Sequence, residues 1–217
     1  MQFPYRSLIF DVDGTLIDSG DGITKSVQYA LEKMGQPVPS QDELRCFIGP
    51  PLHESFQKFS GLSDADAWNA THIYRERYET LGVREAAPYP GIPQLLGDLR
   101  KAGFGLYVAT SKPEPLAKMF LHLHGLDVYF DLICGAMDVV RETKDAVIAY
   151  LLPQMSDKGK NGVMIGDRHH DIDGAKAFSL PSVGVRYGFA PEGELESAGA
   201  DYIVDTVDDL RHLLLGN

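Results

Sequence analysis

Two acids one residue apart, Asp11 and Asp13, close the apolar run Leu8-Ile9-Phe10 and are followed by Gly14-Thr15-Leu16. An apolar run leading into an acid and then a glycine reads as a strand entering a tight loop. In an open α/β sheet, ligands bind at the carboxyl ends of the strands, so both acids would stand where chemistry is done. Carboxylates crowded there repel one another unless one holds a proton or a cation lies between them. The chemistry open to them is an Mg²⁺ site or an acid/base pair. The plain alternative is an Asp-Gly turn closing a hairpin.

Three later stretches could complete such chemistry, and each also has an ordinary reading. In Leu106-Tyr107-Val108-Ala109-Thr110-Ser111-Lys112-Pro113 a strand runs into small hydroxyl residues. A hydroxyl and a free backbone N–H at that point, at Thr110 and Ser111, can hydrogen-bond a phosphoryl oxygen. The same residues would also suit a helix N-cap. Arg141-Glu142-Thr143-Lys144 precedes an apolar helix. Lys144 there could neutralise the acids and hold a phosphoryl group as a point charge, or be a solvated charge in a first helical turn. Lys112 and Lys160 are the alternatives for that lysine.

The last stretch, Gly162-Val163-Met164-Ile165-Gly166-Asp167-Arg168-His169-His170-Asp171, is an apolar strand followed by two acids four residues apart. Mg²⁺ prefers octahedral oxygen coordination and keeps several waters, so it needs few protein ligands. Asp167 is a candidate direct ligand, and Asp171 a group that fixes a water or Lys144. His169 and His170 lack a zinc-site spacing and read as loop polarity.

The elements that must position these residues fall into two kinds. Helical spacing of Ile23, Val27, Ala30, Leu31 and Met34 predicts a helix over 21–34. Short helices follow over 40–47, 53–59, 63–69 and 71–81, with the turn Gly49-Pro50-Pro51 breaking the run. From Pro88 onward, strands at 104–109, 132–134, 162–165, 182–185 and 202–204 alternate with helices at 92–99, 115–124, 144–152, 172–178 and 208–215. That alternation argues for a parallel sheet covered on both faces. The expected architecture is an α/β, doubly wound Rossmann-like core over 1–16 and 88–217, interrupted by an all-helical cap over 17–87. An insert at that place would hang over the carboxyl end of the first strand as a lid. Its Gly49-Pro50 turn is a candidate for selecting substrate. Arg45, Arg75 and Arg77 are open either to a substrate carboxylate or to solvent, and Tyr74 and Tyr78 read as cap core.

The whole-chain composition narrows the partners. With 20 basic and 31 acidic residues in 217, the net charge is 20 − 31 = −11, which disfavours nucleic acid polymers and anionic membranes. A phosphate substrate must then meet local positive charge from a cation and a few lysines. Cys46 and Cys134 stand far apart, so a disulfide framework is not expected and reduced cytoplasm is the expected compartment. No apolar run approaches the ~20 residues needed to span a bilayer. Nothing in the sequence speaks to oligomeric state.

In order, Asp11-x-Asp13-Gly14-Thr15-Leu16, Thr110, Lys144 and Gly166-Asp167-x-x-x-Asp171 resemble the four motifs of the haloacid dehalogenase-like hydrolase superfamily. The resemblance extends to the position of the insert, and is to the phosphoglycolate phosphatase-like branch with an α-helical cap. Residues 106–113, 164–176 and 182–188, with Tyr187-Gly188-Phe189, are similar to members classed as 5′-nucleotidase-like. Many related phosphatases carry Lys-Pro where this chain has Lys144-Asp145.

The resemblance implies that Asp11 attacks phosphorus to form an aspartyl phosphate, with Mg²⁺ held by Asp11, Asp13 (through its backbone carbonyl) and Asp167. Asp13 would protonate the leaving alkoxide and then activate water. Thr110, Ser111 and Lys144 would bind the transferring group. The implied substrate is a small phosphorylated metabolite, phosphoglycolate or a nucleoside 5′-monophosphate. A phosphomutase of the same fold is the nearest alternative. A phospho-accepting receiver domain, of another class, would be about half this length and spaces its acids differently.

Overall fold

The computed structural model describes residues 3–137 and 140–216. In chain order its elements are β1 (Ser7–Phe10), β2 (Ile17–Asp18), α1 (Gly20–Lys33), α2 (Leu52–Ser60), α3 (Asp64–Tyr78), β3 (Ala87–Pro88), α4 (Ile92–Lys101), β4 (Gly105–Pro113), α5 (Glu114–Leu123), β5 (Leu132–Ala136), α6 (Lys144–Leu151), β6 (Gly162–Gly166), α7 (His169–Lys176), β7 (Ser182–Val185), α8 (Glu194–Ala198), β8 (Tyr202–Val204) and α9 (Val207–Leu215). The chain divides into two compact units, one of Met1–Ile17 with Pro88–Asn217 and the other of Asp18–Ala87.

The first unit is an α/β fold built on a six-stranded sheet of order β5-β4-β1-β6-β7-β8, and its strand pairs are parallel. All four residues of β1 and all five of β6 are buried, as expected of strands covered on both faces, which read as continuous apolar runs. On one face Ile9, Tyr107, Ala109 and Met164 pack with Val147, Ile148 and Leu151 of α6 and Ala175 of α7. β1 lies between β4 and β6, with Phe10 level with Val108 and with Ile165. Parallel strands in that register bring the residues after Phe10, after Ala109 and after Gly166 to one edge of the sheet.

Two differences from the sequence reading bear on the site. β4 continues past Ala109 to Pro113, with a register shift against β5 in that stretch. Thr110-Ser111-Lys112-Pro113 is therefore strand end rather than a hydroxyl cap, and the N-cap of α5 is Pro113 with no side-chain bond. α8, a helix of five residues between Gly193 and Gly199, is an element the sequence reading did not include, and it is too short to show periodicity.

The second unit is mainly helical. The two helices expected over 63–69 and 71–81 are one, α3, because no Gly or Pro interrupts them and Ala67, Ala70, Thr71, Tyr74 and Tyr78 form one continuous buried stripe. Ser63 caps it, accepting from the Asp66 amide at 3.2 Å. Tyr74 and Tyr78 stack at 5.2 Å and are buried, as core rather than as a platform. Arg77 forms a two-point pair with Glu85 at 2.8 and 3.0 Å and donates to Ser26 at 3.2 Å, so it belongs to the unit's own packing.

Candidate active site

Asp11 is the first residue beyond β1, and its amide donates to the Ile165 carbonyl at 2.9 Å, which extends the β1–β6 pairing by one step. The chain then reverses: the Leu16 and Ile17 amides both return to the Val12 carbonyl, at 2.9 and 3.0 Å, and Gly14 sits at φ +84°. A Cβ on Gly14 would lie 2.1 Å from Asp167 Oδ2, and one on Gly188 would lie 2.4 Å from Asp167 Cβ. Glycine is required at both places for approach as well as, at Gly14, for conformation.

Asp167 follows β6 and is fully buried. Its Oδ1 accepts from the Thr15 hydroxyl at 3.4 Å and its Oδ2 from the Phe189 amide at 2.8 Å. The loop after β7 that supplies Phe189 also places the Tyr187 hydroxyl, which donates to the Thr15 carbonyl at 3.0 Å. Asp171 lies in the first turn of α7, where its Oδ2 accepts from the Arg168 amide at 3.1 Å. Ligand oxygens of Asp11, Asp167 and Asp171 all lie within 4.8 Å of one another.

A buried ammonium lies against two acids of this cluster. Lys144, at the start of α6, donates to Asp11 Oδ1 at 2.7 Å and to the Ala109 carbonyl at 3.0 Å, and its ammonium is 2.7 Å from Asp171 Oδ1. Of the three lysines left open by the sequence, Lys144 reaches Asp11. Lys112 reaches Asp13 Oδ2 at 3.0 Å, and Lys160 is exposed before the opposite end of β6. Asp13 adds no carboxylate to the cluster, so a part in cation binding could come only through its backbone. Its Oδ1 is buried without a hydrogen-bond partner.

The electrostatics follow from this count. Burial opposes the charge on Lys144, but Asp11 and Asp171 outweigh it and hold the ammonium above its ordinary range. Burial, then Asp171 and Asp11, push the Asp167 carboxyl well above the usual carboxylate value. Burial also pushes Asp171 up to about 6, with Lys144 pulling the other way. Three carboxylates against one ammonium leave an excess of two negative charges, which a divalent cation would neutralise. The donor set is all oxygen, which suits a hard cation. The cluster can therefore hold a metal ion.

Beside it, Thr110 is buried and its hydroxyl accepts from the Lys112 amide at 3.2 Å, while Ser111 is partly buried. Gly49, Pro50 and Arg45 belong to the other unit, where Gly49 has φ +105° and the exposed Arg45 pairs with Asp42 at 3.6 Å. Arg168 and Glu194, given no role in the sequence reading, form a partly buried pair: Arg168 Nε donates to Glu194 Oε1 at 2.8 Å, and so does the His169 amide at 2.9 Å. His169 Nδ1 is 3.1 Å from the same oxygen, so this histidine is tied to Glu194 rather than to a metal cluster. No local signal marks Glu194 in the sequence, because it joins α8 to the α7 entry across 26 residues.

Carboxylates stand at the ends of two adjacent central strands of this parallel sheet with a buried lysine against them, and Thr110 follows Ala109 in the neighbouring strand β4, an arrangement suited to phosphate-ester chemistry. The chain belongs to the haloacid dehalogenase-like hydrolase family, whose model matches residues 8–185, and it is a phosphoric monoester hydrolase. It is 39% identical to a 5′-nucleotidase of Pseudomonas aeruginosa, over 97% of this chain and 96% of that one. It is also 39% identical to the tyrosine-protein kinase PtkA of Mycobacterium tuberculosis, over 95% of this chain and 72% of that one. A solved structure described as a predicted phosphatase from Clostridium acetobutylicum superposes with a TM-score of 0.91 at 43% identity, covering 95% of this chain and 96% of that one. Among the described residues, no helix is long and apolar enough to cross a membrane.

Proposed function

We propose that this phosphatase hydrolyses small phosphomonoesters through an aspartyl phosphate on Asp11, with Mg²⁺ held by Asp11, Asp167 and the backbone of Asp13. The observation that carries the reading is the buried cluster of Asp11, Asp167 and Asp171, short of two positive charges and faced by Lys144 at 2.7 Å. Asp171 is within reach of the same cation and also holds Lys144 in place. The bound cation supplies positive charge that screens the nucleophile from the phosphate dianion.

In the first step an Asp11 carboxylate oxygen forms a bond to phosphorus while the ester P–O bond breaks, and Asp13 gives its proton to the departing alkoxide. In the second step water attacks phosphorus, Asp13 takes the water's proton, and the Asp11–phosphorus bond breaks to release phosphate. Thr110, Ser111 and Lys144 hold the transferring group, whose charge spreads over its outer oxygens. Lys112, paired with Asp13, fixes the direction of that carboxyl. The helical unit acts as a cap that selects substrate, with Gly49, Pro50 and Arg45 as its candidate selecting residues.

The first-choice substrate is a nucleoside 5′-monophosphate, supported by the Pseudomonas relative, followed by phosphoglycolate. Phosphate release with Mg²⁺ across nucleoside 5′-monophosphates, 2-phosphoglycolate, sugar phosphates and pyrophosphate tests it. Highest kcat/KM on a nucleotide supports the choice, and highest kcat/KM on another ester overturns it. The relative named as a tyrosine kinase favours a second reading, in which the phosphoryl group passes from Asp11 to an acceptor hydroxyl instead of water. Phosphotyrosine formed on a peptide with ATP as donor would support that reading.

A further inference from the structure

We propose that Arg141 and Glu114 are positioning residues that set Lys144 and Lys112 against Asp11 and Asp13. The inference rests on the function proposed above and concerns how its two lysines are kept in place. Lys112 ends β4 and Lys144 begins α6, so the two ammonium groups stand on separate segments with all of β5 between them in the chain. Glu114 is two residues after Lys112, and Arg141 is three before Lys144.

Arg141 is almost fully buried and touches three elements at once. Its Nε donates to the Gly135 carbonyl of β5 at 2.8 Å, and its Nη2 pairs with Glu114 Oε2 at the start of α5. Its guanidinium carbon lies 3.9 Å from the centre of the Tyr150 ring on α6. Glu114 Oε2 also accepts from the Gly135 amide at 3.4 Å, and its other oxygen pairs with Lys118 at 2.7 Å. A Cβ on Gly135 would fall 2.5 Å from the Lys112 carbonyl and 2.7 Å from Glu114 Cα, so the Lys112–Glu114 backbone lies directly against β5. On the other side, reciprocal hydrogen bonds of 2.9 Å join the backbones of Met137 and Arg141, three residues before Lys144.

The network therefore links the backbone that carries Lys112 to the backbone that carries Lys144. A buried ion pair is weak evidence of a stabilising role, because desolvation offsets its attraction and apolar replacements are often neutral. A rigid guanidinium fork that contacts three segments is suited instead to fixing their relative placement. Lys144 must meet Asp11 within a hydrogen bond's length, and a misplacement of about 1 Å at such a site can cost about 10²-fold in rate.

The test compares Arg141→Met, Glu114→Gln and the double variant with the wild type, using phosphate release from 4-nitrophenyl phosphate in excess Mg²⁺ and thermal unfolding of each protein. We expect kcat to fall about 10–100-fold in each single variant, with KM within about threefold, and the double to be no slower than the slower single. Orthovanadate binding by calorimetry gives a readout independent of turnover. Its affinity should fall about tenfold in Arg141→Met, whereas Arg141→Met added to Lys144→Met should change it less than twofold. Single variants that keep more than half the wild-type kcat while unfolding at lower temperature would overturn the inference, as would vanadate losses that multiply in the Lys144→Met background. A wild type that releases no phosphate from any ester counts against the proposed function instead, and the vanadate comparison still decides the positioning role.

Discussion

Asp11 and Asp13 are separated by one residue in sequence but are given different electrostatic partners. Asp11 meets Lys144 at 2.7 Å in a fully buried acid cluster, whereas Asp13 meets Lys112 at 3.0 Å. That division gives the nucleophile and the proton carrier of the proposed mechanism separate lysine partners. If Asp13 shuttles the proton in both steps, Asp13→Asn lowers kcat by about 10²–10⁴-fold with little change in KM, in steady-state kinetics on a saturable phosphomonoester. A kcat within tenfold of wild type would assign the proton elsewhere. The placement of Asp11, Asp167 and Asp171 together at one end of the sheet was readable because each follows an apolar strand run. The pairing of Lys112 with Asp13 was not, because strand β4 runs four residues further than its apolar pattern and carries that lysine into the buried site.

At the scale of elements, the site is assembled by close approaches that only glycines permit and by charged pairs that cross long sequence separations. Gly14 and Gly188 let two loops close on Asp167, and Glu194 of α8 holds the entry to α7 through Arg168 and His169. Burial acts to raise the Glu194 carboxyl, but hydrogen bonds from Arg168 and from the His169 amide prevail and pull it down to about 2 from an ordinary 4.5. Because the folded value is depressed, this stabilisation is present above about pH 4.5 and is lost as pH falls toward about 2. Glu194→Gln should therefore lower the unfolding temperature most near neutrality, by an amount corresponding to about 1–3 kcal/mol. The gap should shrink as the scan moves from pH 5 to pH 2. A gap that stays constant over that range would mean Glu194 contributes through packing and not through its charge. The alternation of strands and helices in the core was readable from apolar runs, whereas the strand order came only from the structure. The merger of two expected helices into α3, and the presence of α8, depended on tertiary burial that a single sequence does not display.

At the scale of the whole molecule, an acidic protein of net charge −11 must bind a phosphate dianion, and under the proposed function a cation bound at the acid cluster offsets the local excess of negative charge and adds to stability. A ligand that binds only the folded state stabilises it by about 2.7 kcal/mol at one hundred times its dissociation constant. For a chain of this size that corresponds to roughly 5–10 °C. Adding Mg²⁺ to the metal-free protein should raise the unfolding midpoint by about that amount, and Asp167→Asn should remove the rise while leaving a cooperative transition. An unchanged midpoint in the wild type would separate the cluster from cation binding. The division into a sheet unit and a helical unit was visible as a change in periodicity near residues 17 and 88, but which esters the helical unit admits is not encoded in any local pattern. The central claim is covalent transfer through Asp11. It is tested most directly by acid-quenching the enzyme during turnover and locating the added phosphoryl group by peptide mass spectrometry. One phosphoryl group on the peptide containing Asp11, with neither adduct nor turnover in Asp11→Asn, is the expected result, whereas sustained phosphate release by Asp11→Asn, or an adduct on another residue, would place the nucleophile elsewhere.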